Sequence, residues 1–157
     1  MKTFILTMIL VVSLATMFTS GAACDKTLQS APDAAAVTTY ALIATKKASE
    51  KYSDTMNKIN MMLGAKDLPS EEREAISHCR EKYREASSQM ASGADHLSSC
   101  DFRHTRQEFM DALTAVRSCL DRLHDSFQSL PLYVLVEADF AVTGVASDLE
   151  ALTNSGW

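Results

Sequence analysis

The chain has 157 residues, 46% of them apolar, with 15 basic and 20 acidic side chains and a net charge of −5. That length suits one domain with a sizeable core. The acidic balance, with no basic patch interleaved with aromatics, excludes a nucleic-acid-binding surface.

The chain opens on Lys2, an apolar run over residues 4–18 and the small residues Ser20, Gly21, Ala22 and Ala23. Charge, apolar run and small residues in that order predict a secretory signal peptide over residues 1–23. The run is too short and broken for a spanning helix, which needs about 20 apolar residues. Gly21, three places before Cys24, does not suit a lipid-anchor site. Residues 24–157 then form the secreted domain, with 14 basic and 20 acidic residues. It holds the four cysteines Cys24, Cys79, Cys100 and Cys119, for which three full pairings exist, and no Asn-x-Ser/Thr site. An exported chain with four cysteines is expected to form disulfides.

After a short lead-in, a first helix is predicted over about residues 34–63. Val37, Ala41, Ala44, Ala48, Tyr52, Met56, Ile59 and Leu63 recur every three or four residues, the helix period. Gly64 suits its end and Pro69 the start of the next helix. The second helix, about residues 69–98, puts Ala75, Ile76, Cys79, Tyr83, Ala86, Met90, Ala94 and Leu97 on one face, with Glu71, Glu72 and Glu74 near its positive end. The segment SSCDFRH interrupts the pattern. A third helix over about residues 105–127 has the seam Phe109, Leu113, Val116, Leu120, Leu123 and Phe127. A fourth, about residues 132–152, is apolar over a wider arc: Val134, Leu135, Ala138, Val142, Val145, Leu149 and Leu152. No strand-like alternation and no internal repeat appears. Four such helices with short connections predict an all-α, antiparallel up-down-up-down four-helix bundle.

In that bundle the second and third helices are antiparallel neighbours. Cys79 lies about 15 Å from one end of the pair and Cys119 about 12 Å from the same end, at 1.5 Å per residue. A bridge between them is allowed, and in the chain-entropy account is worth about 4 kcal/mol. The same positions would also suit two small buried thiols.

The stretches HCREKYREASSQMASGADHL and EFMDALTAVRSCLDRLHDSF, with their cysteines forty residues apart, resemble the plant invertase and pectin methylesterase inhibitor family. Cys79, Tyr83 and Ala86, then Ala112, Ala115 and Cys119, stand where that family repeats Cys, Tyr and Ala and later an Ala-rich helix ending in Cys. The resemblance covers about residues 34–152. It implies a secreted bundle with a disulfide joining two helices. It also implies a protein partner, either pectin methylesterase or acid invertase, and no catalysis or cofactor. Members usually carry an N-terminal helical hairpin closed by its own disulfide. Here Cys24 and the residues after it resemble its start, but no second cysteine follows, so the N-terminal extension is shortened. Invertase-directed members often have Pro-Lys-Phe before the third helix; Phe102, Arg103 and His104 stand there instead.

Other constellations are weaker. His78, His96, His104 and His124 include two Asp-x-x-His spacings, but metal sites in bundles need inward carboxylates from the other helices, and the apolar stripes contain none. No nucleophile elbow or HExxH motif is present. Met61 and Met62 suit the closing of a bundle end better than the lining of a ligand pocket. Asp101, Phe102, Arg103, His104 and Arg106 offer an aromatic and cations at one bundle end, the residue types that anchor protein interfaces. The bland alternative is a loop with Asp101 capping the third helix.

The expected function is therefore a monomeric, extracellular (apoplastic) inhibitor of pectin methylesterase, with acid invertase as the alternative target and a secreted carrier of a small apolar ligand as the alternative class. Cys24 and Cys100, both near the same end of the bundle, form a candidate second bridge.

Overall fold

The computed structural model describes residues 32–154. The expected signal peptide and Cys24 lie outside the described residues. Four helices follow one another: α1 (Pro32–Leu63), α2 (Ser70–Ser98), α3 (Phe102–His124) and α4 (Pro131–Asn154). Pro32 and Pro131 open their helices, where a missing N–H leaves no bond unmade. Pro69, at φ −54° and ψ 147°, sits just before α2. The end of α1 is covered from α2: the Arg73 guanidinium donates to the Leu63 and Ala65 carbonyls, each at 2.8 Å. A cation there meets both the orphan carbonyls and the negative end of the helix dipole.

Cross-helix contacts show the antiparallel order, because residue numbers rise on one helix as they fall on the next. Tyr52 meets Thr143 and Thr55 meets Asp139 across α1 and α4. His78 meets Ser118, and Ser92 meets Glu108, across α2 and α3. Thr105 meets Glu150 across α3 and α4. Each helix packs on its chain neighbours and α4 closes against α1, with α2 and α3 the most extensive pair. The bundle is thus up-down-up-down, as the periodicity predicts.

Cys79 and Cys119 form a disulfide, with Cα atoms 4.7 Å apart. Both are fully buried in the core. The α2 face matches its predicted residues except at one place, where Gly93 rather than Ala94 turns inward. α3 begins one turn before the predicted start and ends at His124, so Phe102, Arg103 and His104 belong to its first turn and not to a loop.

The fourth helix departs from its predicted face. Leu132, Val136, Asp139, Thr143, Ala146, Ser147, Glu150 and Thr153 are buried. Val134, Val145 and Leu152, expected inside, are 63%, 54% and 58% exposed, and Leu135 is exposed too. The apolar arc of this helix is so wide that its centre does not define the inward face. Polar side chains that find partners inside decide the rotation instead.

Gly93 lets α2 and α3 come close: a Cβ there would lie 2.6 Å from Phe109 Cε2 and 2.9 Å from Cδ2. Phe109 is fully buried, so its ring has no free space to retreat into. Gly93→Ala should therefore lower the melting temperature. The gain of about 1 kcal/mol in helix propensity is outweighed by overpacking of about 1–3 kcal/mol. Adding Phe109→Leu should recover part of the loss, which thermal unfolding of the single and double variants would show.

Candidate functional site

The turn between α2 and α3 builds one end of the bundle. After Ser99, Cys100 takes φ 57°, the left-handed conformation usual for glycine. The Cys100 N–H donates to the Leu97 carbonyl at 3.2 Å and the Asp101 N–H to the His96 carbonyl at 2.9 Å. This pair of bonds is the Schellman ending of a helix, and it turns the chain at once into α3.

Asp101 occupies the N-cap position of α3 but makes no side-chain cap hydrogen bond. Its carboxylate instead lies 3.7 Å from Arg103 Nε and 3.9 Å from His104 Nδ1. Arg103 and His104 project into solvent, 87% and 68% exposed. Phe102 is half-buried and packs on the core, so it is not the exposed aromatic anchor expected of it. Arg106 turns onto α4, donating to the Ser147 carbonyl at 3.4 Å and lying 3.8 Å from Glu150 Oε2. The neighbouring Thr105 donates to Glu150 Oε1 at 2.7 Å. Of the five predicted contact residues, the turn therefore presents Asp101, Arg103 and His104 together. Phe102 and Arg106 serve to seat α3. Cys100, Asp101, Phe102 and Arg103 also border an open recess at this end.

A second histidine joins them. His96 Nδ1 lies 2.9 Å from Glu108 Oε2, and the Ser92 hydroxyl donates to the other oxygen of Glu108. The His96 and His104 rings are 5.8 Å apart. The hydrogen bond to Glu108 is the main cause that raises the His96 pKa. Desolvation opposes it, and the charges of Glu108, Asp101 and Asp95 add to it. The cluster's signal lies in register: the bridge sets residue 79 beside residue 119, which places 92 and 96 beside the first two turns of α3.

The remaining histidines are satisfied locally. His78 Nε2 lies 3.1 Å from Ser118 Oγ, and His124 Nδ1 lies 3.5 Å from Asp125. Among the described residues no three His, Cys, Asp or Glu side chains converge as a metal site, and no helix is long and apolar enough to cross a membrane.

The bundle interior holds a polar cluster missed by apolar patterning. Thr55 Oγ1 and Tyr83 OH both donate to Asp139 Oδ2, at 2.6 and 2.7 Å. Thr143 Oγ1 donates to the Asp139 carbonyl at 2.6 Å, so the Tyr52 hydroxyl is the donor in its 2.6 Å bond to Thr143. The Tyr52 and Tyr83 rings meet edge to face at 5.5 Å. Burial raises both phenol pKa values and is likewise the first cause raising that of Asp139. The hydroxyls of Thr55 and Tyr83 and the charge of Lys51 pull Asp139 the other way. Tyr52, Thr55, Tyr83, Asp139 and Thr143 are all buried.

The family described as plant invertase/pectin methylesterase inhibitor matches residues 18–148. No curated protein sequence matches the chain. A crystal structure of a pectin methylesterase inhibitor from Arabidopsis thaliana is similar in fold, with a TM-score of 0.67 and 17% identity, over 74% of this chain and 77% of that one. A mutant form of a pectin methylesterase inhibitor from Arabidopsis gives a TM-score of 0.69 and 17% identity, over 83% of this chain and 87% of that one.

The His96 contact has a measurable sign. A histidine whose folded pKa lies above its ordinary 6.5 adds stability below that value, and the contribution fades as pH rises through the folded pKa. NMR titration should place the His96 pKa above 6.5 and return it toward that value in Glu108→Gln. The same variant should lose more thermal stability at about pH 5.5 than at about pH 8.

Proposed function

The chain belongs to the plant invertase/pectin methylesterase inhibitor family, and from that premise we propose that it inhibits pectin methylesterase outside the cell, as a monomer that covers the enzyme's cleft and does no chemistry itself. The bridged pair α2 and α3 supplies a rigid surface. Asp101, Arg103 and His104 supply polar contacts at its end, while Phe102 and Arg106 hold that turn in place.

One observation carries the choice of enzyme. Phe102, Arg103 and His104 occupy the position where invertase-directed members often carry Pro-Lys-Phe. Here the aromatic is drawn partly into the core, leaving a cation and an imidazole exposed. The solved proteins of similar fold are themselves pectin methylesterase inhibitors, which supports the same choice. Acid invertase is the second reading, favoured by the one feature kept from that pattern: a basic residue, Arg103, at the exposed tip.

Titration of the secreted protein against both enzymes at mildly acidic pH should inhibit the methylesterase and spare the invertase. The reverse result would transfer the assignment to invertase. Arg103→Glu should weaken inhibition by about tenfold, the effect of losing about 1.4 kcal/mol at an interface, without lowering the melting temperature.

We also propose that Cys24 pairs with Cys100, tying the shortened lead-in across the end of the bundle. Two observations support it. There is no free cysteine among the described residues, and Cys79 and Cys119 engage each other. Cys24 lies eight positions before Pro32 at the start of α1, a reach of up to about 26 Å. Intact-mass analysis with thiol alkylation should find no alkylated cysteine on a monomer before reduction. Two alkylated sites, or a reducible dimer, would refute the pairing.

A further inference from the structure

We propose that Asp139 is an acid-held latch for α4: its protonated side chain seats the helix against α1 and α2, and loss of the proton as pH rises loosens α4 while α2 and α3 stay joined. The proposal goes beyond the inhibitor assignment and does not depend on which enzyme is bound.

The basis is the rotation of α4. Its inward face carries Asp139, Thr143, Ser147, Glu150 and Thr153 beside only Leu132, Val136 and Ala146. Its outward face keeps Val134, Leu135, Val145 and Leu152 in solvent. Tyr133, Phe140, Val142 and Leu149 pack partly buried against the core, so this seat combines apolar contact with hydrogen bonds made inside the bundle. Asp139 makes the central ones, to Thr55 on α1 and to Tyr83 on α2, the helix diagonally opposite α4.

Those partners are neutral hydroxyls. The other buried acid of α4, Glu150, faces the Arg106 guanidinium, whereas Asp139 makes no ion pair among the described residues. The charged and titratable groups around Asp139 are few. From α1 come Lys51, Asp54 and Tyr52, with Lys51 favouring the carboxylate and Asp54 opposing it. From α2 comes Tyr83. On α3, Arg117 lies over the ring of the next residue, Phe140, and pairs with Asp121 rather than with Asp139. Both hydroxyl donors converge on Oδ2, which leaves Oδ1 to carry the proton. Both phenols stay protonated donors, their pKa values raised by burial, so Asp139 is the member of the cluster that changes charge.

The sign follows from the raised carboxyl pKa. A folded state that holds the proton more tightly than the unfolded chain is favoured at low pH, and that advantage falls as pH rises through the folded pKa. It runs opposite to ordinary acid denaturation, in which stability is lost as carboxylates are protonated.

The test is amide hydrogen exchange of the whole disulfide-bonded protein between about pH 4 and pH 8, corrected for intrinsic rates. Peptides from α4 should lose protection as pH rises, by about tenfold for each pH unit through which the latch opens, while peptides from α2 and α3 keep theirs. Asp139→Asn should remove the step. Tyr83→Phe, which takes away one donor to the carboxylate, should move it to higher pH and serves if the first variant does not fold. A flat profile, a step shared equally by α2 and α3, a step that survives in Asp139→Asn, or a step that does not rise in Tyr83→Phe would each overturn the latch.

Discussion

The bond between Cys79 and Cys119 is the constraint on which the rest of the arrangement turns. Two long antiparallel helices can slide by a turn and still bury apolar side chains, because a helix period repeats every few residues. A covalent link with Cα atoms 4.7 Å apart removes that freedom. Once residue 79 lies beside residue 119, Gly93 must lie under the ring of Phe109, and His96 must come to the first turns of α3. A close approach, a charged hydrogen bond and the position of the connecting turn all follow from one register.

The two halves of the bundle are held by different physics. α2 and α3 meet through a disulfide and a nearly all-apolar seam of Ile76, Tyr83, Met90, Phe109, Val116 and Leu123. α4 meets the bundle through Leu132, Val136 and Ala146 and also through threonines, a serine and two acids, whose value depends on their bonds being made. Apolar contact tolerates small displacements, whereas a buried hydrogen bond is lost when its partners separate. One half is therefore fixed by connectivity and packing, and the other by packing together with the alignment of particular polar atoms.

Much of this was legible in the residues. The period of apolar positions placed four helices and their order, and spacing brought Cys79 and Cys119 to one height. The inward face of α2 came out nearly whole because its apolar stripe is narrow and its other faces are charged. The face of α4 did not, because an arc with Val134, Leu135, Val142, Val145 and Leu149 leaves no contrast from which to read direction. Asp139 and Glu150 look like surface acids until the donors of α1, α2 and α3 are placed around them. The turn at Phe102 was visible as a cluster of interface-type residues. Its division into exposed and anchored members depended on α3 starting a turn early, which in turn depended on Cys100 taking φ 57°.

That division bears on how a small bundle end can serve as a contact surface. A long cation in solvent loses rotamer freedom when a partner immobilises it, at a cost of about 0.5–1.5 kcal/mol per side chain. Asp101, lying near both Arg103 and His104, restricts them before any partner arrives. The carboxylate can do this because it is not spent on capping α3. Beneath it, Thr105 and Arg106 pin the first turn of α3 to Glu150, so the backbone carrying the exposed pair is itself held. In the proposed inhibitor, binding an enzyme surface draws on side chains already restricted, from a scaffold whose register was set by the bridge further along the same two helices.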